Sequence, residues 1–184
     1  MAKKSMDAVA LLKADHRKVE DLFEQFEKAH EGQRKKVLVE QICTELCVHT
    51  TIEEEIFYPA CQAKVEDEDV IDESYVEHDG AKVLVAELVE REPDDEFFDA
   101  KVSVLSEEIK HHVKEEEKRG EGLFAQARKA GLDLDALGER LMARKEELME
   151  QIKSQGLPTI QTRSFTGHKL AQGKPVEIST EAGE

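Results

Sequence analysis

The stretch HTTIE, residues 49–53, has a counterpart in HVKEE, residues 112–116. Each stretch places a histidine and a glutamate four positions apart, so that on a helix the two side chains share one face, one turn apart. In both stretches these residues occupy positions where the helical periodicity predicts apolar side chains. Ionisable groups in two apolar stripes require a compensating charge, and a bound cation would supply it.

Length and composition limit the fold class and the partners. The chain has 184 residues, of which 39% are hydrophobic, 5% aromatic and 37% charged, and this composition suits amphipathic helices better than a β-sandwich. The net charge of -16 and the lack of a large basic cluster argue against binding to nucleic acid or to an anionic membrane. We therefore expect an all-α protein without a nucleic-acid or membrane partner.

Short segments bear on the location of the protein. The apolar residues 8–12 are too few for a signal peptide, and no stretch approaches the length of a transmembrane helix. Three cysteines in a chain without export signals predict reduced thiols, and Cys43 and Cys47 are interpreted as small core residues. We expect a cytoplasmic protein.

Apolar residues at spacings of three and four predict five helices joined by short connections. Pro59 is expected to bend the end of the second helix without ending it, and Gly120 and Gly122 to weaken the fourth helix. The predicted helices cover about residues 6–30, 34–63, 70–91, 95 onward and 133–153. The predicted organisation is an up-down-up-down four-helix bundle over residues 1–130, an appended fifth helix over 131–155 and a flexible C-terminal tail over 156–184.

Six ionisable residues fall in the four bundle stripes. Counted from the turns, His16 and His49 lie at one depth, and so do Glu53 and His78. His112 lies about one helical turn out of register with His78, which requires a tilted helix or a longer loop. The candidate metal ligands in this interior layer are His16, His49, Glu53, His78, His112 and Glu116.

The ligand types indicate which metal the layer would hold. Imidazole with carboxylate suits iron, manganese or zinc, and the absence of cysteine from the stripes disfavours a thiolate zinc site. Two glutamates from different helices can each bridge two ions, while four imidazoles divide between them. We therefore expect two ions with positions left open for water, a bridging oxygen, dioxygen or peroxide. A ferritin-like arrangement is rejected because the Glu-x-x-His pairs at 27–30 and 108–111 lie at a helix end and off the core face.

Other polar residues are candidates for supporting roles. Glu45 and Glu108 each precede a stripe histidine by four residues and could accept a hydrogen bond from it, although a solvated surface position is the simpler interpretation. Glu20 beside the first stripe and His168 in the tail are weaker candidate ligands. Six further residues are expected to face solvent: His30, Glu54, Glu55, His111, Glu115 and Glu117.

Each candidate ligand lies in a longer motif: LLKADHRKVEDLF around His16, HTTIEEEIFYPA (49–60), EHDGAK around His78 and HHVKEEE (111–117). Together these motifs resemble the hemerythrin-like HHE cation-binding family. The resemblance covers about residues 6–150 and includes a fifth-helix segment typical of bacterial members. It implies a four-helix bundle with two non-heme iron ions, carrying an oxo or hydroxo bridge, with the same six residues as ligands and Glu53 and Glu116 bridging; manganese or zinc are alternatives. Oxygen-carrying hemerythrins use five histidines, whereas this chain offers four.

Three functions stay open on this evidence. The first is a di-iron protein whose centre binds or reacts with dioxygen or peroxide in an oxygen, redox or iron response. The second is an enzyme with catalase-like or oxidase activity, in which Glu45, Glu108 or Tyr75 could assist proton transfer. The third is an iron or oxygen sensor or adaptor that acts through a protein partner, which the sequence does not identify.

Overall fold

The computed structural model describes residues 6–165, and every regular element in that range is helical. The predicted all-α class is therefore confirmed. The elements are α1 (Ala8–Glu27), α2 (Gly32–Ile52), a π-helical turn (Glu53–Phe57), α3 (Tyr58–Gln62), α4 (Glu68–Val89), α5 (Phe98–Glu116), α6 (Leu123–Lys129) and α7 (Leu134–Gln155).

Two aspartates set the beginnings of the first and last helices. Asp7 Oδ1 accepts a hydrogen bond from the backbone N–H of Ala10 at 2.8 Å, and Asp133 Oδ1 accepts one from Ala136 at 3.0 Å. These bonds satisfy amide groups that have no partner inside the helix. Gly156 follows α7 and has a positive φ of 82°. Glycine adopts this left-handed conformation readily, and the conformation ends the helix.

Helices α1, α2, α4 and α5 surround a common interior. Each contacts the next in that order, and α5 also contacts α1. Their apolar side chains form two clusters, one including Leu12 and Ile52, the other including Phe23, Ile42 and Leu105. A polar layer lies between the two clusters. The alternating direction of the four helices stays a prediction.

The predicted second helix is interrupted by the π-helical turn. In this turn the N–H of Tyr58 bonds to the carbonyl of Glu53, five residues back, so one extra residue is accommodated. Pro59 follows directly and has no N–H for the carbonyl of Glu55, which favours such an interruption. The helix nevertheless continues to Gln62, as the sequence predicted.

The extra residue changes which side chains face the core. Phe57, Tyr58 and Cys61 are buried, whereas the predicted stripe positions Ile56 and Ala60 are only partly buried. A strictly α-helical spacing therefore fails beyond Glu53.

The sequence predicted that Gly120 and Gly122 weaken the fourth helix, and in the structure this helix is divided in two at that point. α5 ends at Glu116 and α6 begins at Leu123. Gly122 lies so close to the carbonyl oxygens of Glu115 and Glu116 that a Cβ at this position would clash with both. A glycine therefore allows the chain to fold back beside the end of α5.

The appended helix α7 packs against α1, α2 and the π-helical turn. Leu137, Leu141 and Leu148 join the first apolar cluster. Gly138 lies against the backbone of Met6 and Ala8, where a Cβ would clash. The close approach of α7 to the start of α1 therefore depends on a glycine.

Residues 157–165, for which the sequence predicted a flexible tail, make specific contacts with the bundle. Leu157 and Ile160 pack against the second apolar cluster, and Arg163 and Ser164 hydrogen-bond to Asp79 of α4. A single buried carboxylate that receives backbone N–H groups leaves no composition signal, so the sequence did not indicate this contact. The rest of the predicted tail, including His168, lies outside the described residues. Across residues 6–165, every helix is too short or too polar to cross a membrane.

Candidate metal centre

The six predicted ligands meet in the polar layer between the apolar clusters. The four histidines form two pairs: His16 Nε2 lies 3.2 Å from His49 Nε2, and His78 Nε2 lies 3.3 Å from His112 Nε2. The concern that His112 is out of register does not hold, because the connection between α4 and α5 spans residues 90–97 and α5 begins at Phe98. The longer loop is one of the two adjustments that the sequence required.

The two glutamates link the histidine pairs. Glu53 Oε2 lies 3.1 Å from Nε2 of His49 and 3.3 Å from Nε2 of His78. Glu116 Oε2 lies 3.5 Å from Nε2 of both His16 and His112. Each carboxylate therefore contacts one histidine of each pair, and the six side chains form a closed ring.

Burial and missing partners show that this ring suits a cation. Glu53 is 0% and Glu116 1% exposed, and within residues 6–165 neither Glu53 Oε1 nor Glu116 Oε2 has a hydrogen-bond donor. Burial and the neighbouring Glu116 raise the pKa of Glu53 well above its ordinary value. Two buried carboxylates with unpartnered oxygens are costly unless a cation neutralises them. The residues present therefore fit a metal.

Groups of three ligand atoms are close enough to share one ion. Within each group the atoms lie within 4.8 Å of one another, and together the groups use all six predicted ligands. Which atoms bind which ion stays a prediction. The groups are His16, His49 and His112; Glu53, His78 and His112; and His16, Glu53 and Glu116.

Burial keeps two of the imidazoles neutral, the form that binds metal. It lowers the pKa of His16 to about 4 and the pKa of His78 well below its ordinary value. Burial also acts to lower the pKa of His112, but the carboxylates of Glu116 and Glu77 outweigh it and raise that pKa. Protons and metal ions therefore compete for this ring.

Each candidate histidine also faces a second carboxylate through its other ring nitrogen, Nδ1. Three of these contacts have hydrogen-bond length, and the fourth is longer. The contacts are His16 with Glu117 Oε1 at 2.9 Å, His78 with Glu54 Oε1 at 3.1 Å, His112 with Glu77 Oε2 at 2.8 Å and His49 with Asp15 Oδ2 at 3.8 Å. Such outer carboxylates fix the tautomer and orientation of a metal-binding imidazole.

The outer carboxylates follow a rule that links neighbouring helices. Asp15, Glu54, Glu77 and Glu117 each adjoin a predicted ligand in sequence, yet each contacts the histidine of the next helix around the bundle. One residue along a helix turns the side chain by about 100°, which carries it from the interior toward the neighbouring helix. The carboxylate precedes the ligand on α1 and α4 and follows it on the other two, as alternating helix directions would require.

Cations hold three of the outer carboxylates. Lys13 and Arg17 contact Glu117 at 3.1 and 2.5 Å. Lys82 and Arg163 contact Glu54 at 2.5 and 3.0 Å, and Lys145 contacts Asp15. Charge-assisted contacts of this kind restrict the carboxylates more than neutral bonds would.

Tyr58 also lies in the polar layer, which the sequence did not predict. Its buried hydroxyl lies 3.0 Å from Glu116 Oε1, 3.1 Å from His78 Nε2 and 3.3 Å from Glu53 Oε2. An α-helical spacing places Tyr58 away from Glu53, but the π-helical turn brings residues five apart onto one face. Pro59, directly after the HTTIEEEIFY stretch, was the only available signal.

The structure does not show the contacts to the candidate ligands that were considered for Glu20, Glu45 and Glu108. Glu108 is exposed, as the simpler interpretation had it, whereas Glu45 is buried and contacts Lys18 at 2.6 Å. Glu20 contacts Arg17 at 3.0 Å. The solvent-facing expectation holds for His30, Glu55 and His111, which are exposed. It is wrong for Glu54 and Glu117, which contact candidate ligands, and Glu115 is partly buried. Tyr75 lies under Arg163 rather than in the ring.

A small cavity adjoins the ring. Its volume is about 10 Å³, close to the space that one water molecule needs. Its lining includes the four candidate histidines and the apolar residues Val19, Leu46, Ile109 and Val113. A space of this size suits a molecule of two or three atoms.

Comparisons with known proteins agree with this geometry. The profile of the Hemerythrin HHE cation binding domain matches residues 7–120. The crystal structure of a hemerythrin HHE cation binding domain-containing protein from Mycobacterium kansasii, an Rv2633c homolog, superimposes with a TM-score of 0.69 at 20% identity and covers 82% of this chain and 94% of that one. A DNA nickase of Nostoc sp. strain PCC 7120 is 29% identical over 115 residues, which are 62% of this chain but only 32% of the nickase. The chain therefore spans about a third of that relative. Because the profile covers more than half of the sequence, this chain belongs to the hemerythrin HHE cation-binding domain family and binds metal cations.

Proposed function

We propose that this protein holds two iron ions in the ring of six side chains, and that this centre binds or reacts with dioxygen or peroxide. The proposed ligands are His16, His49, Glu53, His78, His112 and Glu116. Iron held there would supply redox chemistry toward such small molecules. Manganese and zinc are alternative ions for the same donor set.

The observation that carries this proposal is the small cavity beside the histidines. Its volume of about 10 Å³ limits the ligand to a molecule of very few atoms. Val19, Leu46 and Ile109 contribute apolar surface to its lining, and this surface offers no hydrogen bonds to a polar substrate. Dioxygen and peroxide match the size of this cavity.

The chain's own residues would prepare the site in two ways. The outer carboxylates hold the imidazoles through Nδ1 and leave Nε2 directed inward. The two apolar clusters on either side of the polar layer exclude water from it, which strengthens the electrostatic interactions inside.

A catalase-like enzyme is the second candidate, and Tyr58 favours it. The hydroxyl of Tyr58 is 3.0 Å from Glu116 Oε1, and burial with the nearby carboxylates raises the pKa of Tyr58 well above its ordinary value. This hydroxyl would therefore keep its proton and could donate it inside the site. It takes the place of Tyr75, which the sequence had suggested for that purpose.

Likeness to a DNA nickase adds no nucleic-acid function to this proposal. The match covers only about a third of that protein. The expectation that this chain does not bind nucleic acid rests on its net charge of -16 and stays a prediction.

Metal counting combined with peroxide addition tests the proposal. We expect iron-loaded protein to retain about two ions per chain after exchange into metal-free buffer, and Glu53→Ala and His112→Ala to retain fewer, with Glu108→Ala as the exposed control. Catalytic oxygen evolution from peroxide would identify the enzyme, and a spectrum that changes reversibly under dioxygen would identify a carrier. Loss of the fold on chelation with little turnover would favour the sensor. Retention of two ions by Glu53→Ala and His112→Ala would refute the ligand assignment.

A further inference from the structure

Residues 157–165, here called the strap, are fastened to α4 beside a candidate metal ligand. Asp79 is buried and directly follows His78. Its Oδ2 accepts hydrogen bonds from the backbone N–H of Arg163 at 2.7 Å and of Ser164 at 2.5 Å, and from the Ser164 hydroxyl at 2.7 Å. A charged acceptor with three donors makes a strong and specific anchor.

Arg163 provides a second anchor that reaches the ring through one intermediate. Its Nε lies 3.0 Å from Glu54 Oε2, and its guanidinium group lies 5.2 Å from the centre of the Tyr75 ring. Glu54 Oε1 in turn lies 3.1 Å from His78 Nδ1. The strap is therefore two contacts away from a candidate ligand.

The strap also covers a hollow on the bundle surface. This hollow has a volume of about 340 Å³ and is lined by α2, α4 and residues 158–163. Leu46 and Thr50 line both this hollow and the small cavity beside the histidines. The space under the strap and the cavity beside the candidate metal centre therefore share two lining residues.

We propose that the hollow is the access route for small molecules to the metal centre and that the strap closes it. Opening requires the strap to leave Asp79 and Glu54, after which a movement of Thr50 or Leu46 joins the two spaces. Arg163 acts as a positioning residue, because the strap contact that it makes also holds the outer carboxylate of His78. The identity of the passing molecule rests on the proposed function, whereas the closure itself does not.

Cys47 offers a way to observe the closure without any metal. It lines the hollow under the strap and is partly buried. In a chain with Cys43→Ala and Cys61→Ala it is the only thiol, since the sequence has three cysteines. The rate at which a thiol reagent modifies Cys47 therefore reports how often the strap opens.

Two truncations form a matched pair for the experiment. A chain ending at residue 156 lacks the strap, whereas a chain ending at residue 165 retains it and lacks only the residues beyond. We expect Cys47 modification to be about tenfold faster in the shorter chain than in the longer one. In iron-loaded protein we expect the rate of azide binding, followed by absorbance, to rise by a similar factor of about ten.

Arg163 variants of the full chain test the closure even if the truncated protein does not fold. Arg163→Ala should accelerate both processes, and Arg163→Lys should restore part of the closure because it keeps the charge beside Glu54. Equal Cys47 rates in the two truncated chains and in Arg163→Ala would overturn the closure. Faster Cys47 modification with unchanged azide binding would overturn the access route, and would place it elsewhere, as in the open acidic hollow that includes Glu116. A protein that holds no iron would refute the proposed function while leaving the Cys47 test intact.

Discussion

Glu117 Oε1 lies 2.9 Å from Nδ1 of His16, although 101 positions separate the two residues. The hydrogen bond to His16 is the largest of the effects that lower the pKa of Glu117 to about 2, and Lys13 and Arg17 add to it. Glu117 is therefore ionised at any pH at which the protein would bind metal. It orients His16 from outside the ring.

Replacing this carboxylate by an amide tests the outer ring of contacts. Glu117→Gln keeps the shape but loses the charge that holds the His16 imidazole, so we expect metal affinity to fall by about 10- to 100-fold. Competition with a coloured chelator measures this change. The exposed Glu121→Gln on the following turn is the matched control, and an equal affinity in both variants would show that Glu117 does not support the site.

The sequence was sufficient to predict the fold class and to bring the six candidate ligands together. Their positions in α-helical stripes locate them in one layer, because a regular helix relates spacing to direction. The four outer carboxylates were missed because one residue of offset sends a side chain toward the neighbouring helix, and only the packed bundle shows which histidine it meets. Adjacency to a ligand, as in the Asp15-His16 pair, was the only available sign.

Tyr58 and the strap were not predicted because both depend on local backbone features that a regular helical pattern does not show. The π-helical turn changes the direction of every side chain after Glu53, so an α-helical count loses Tyr58. The strap depends on backbone N–H groups of residues 163 and 164 that bond to Asp79, and any residue type except proline can supply such groups. A pattern of side chains therefore could not reveal it.

Removal of the Tyr58 hydroxyl tests its role in the ring. We expect Tyr58→Phe to retain its iron, since the six proposed ligands remain, and to consume peroxide at least about tenfold more slowly. In metal-free protein the change leaves Glu116 Oε1 without its donor, which should lower the free energy of unfolding by about 1–3 kcal/mol. Oxygen-electrode assays and urea denaturation measure the two effects, and unchanged peroxide consumption would exclude Tyr58 from proton transfer.

Acid should destabilise the metal-free protein through His16. Burial lowers its pKa in the folded state to about 4 from the ordinary value of 6.5, so below pH 6.5 the unfolded chain binds the proton first. The contribution is complete above pH 6.5 and is lost as the pH falls toward 4, by about 3 kcal/mol in total. Urea denaturation at a series of pH values measures it.

The fold raises the pKa values of Glu53 and His112 and lowers that of His78. The effect of His16 must therefore be isolated with a variant. His16→Gln removes the contribution of His16 and, below about pH 4.5, also weakens that of Glu117, whose pKa depends on the hydrogen bond to His16. Above that pH its free energy of unfolding should depend less steeply on pH, from 6.5 downward, than that of the unsubstituted protein. Parallel curves for the two proteins would mean that His16 is not held neutral by the fold.

Metal binding should release protons from the ring. Burial and Glu116 raise the pKa of Glu53 well above its ordinary value, and the pKa of His112 is also raised, so both groups hold protons that a metal ion would displace. Titration calorimetry in two buffers of different ionisation enthalpy gives the number released. We expect more protons released at pH 6 than at pH 9, and the same number at both would contradict the raised pKa values.

The close approach of α7 to α1 should make Gly138 intolerant of a side chain. A Cβ at this position would meet the backbone of Met6 and Ala8, which cannot yield as a flexible side chain would. We expect Gly138→Val to lower the free energy of unfolding by at least about 1–3 kcal/mol, with the exposed neighbour Glu139→Ala as the control in thermal denaturation. Because α7 also supplies Lys145 to Asp15, displacement of the helix should weaken metal retention in the same variant. Unchanged melting and metal content in Gly138→Val would show that α7 is separable from the bundle, whereas loss of both would make it part of the structure that holds the centre.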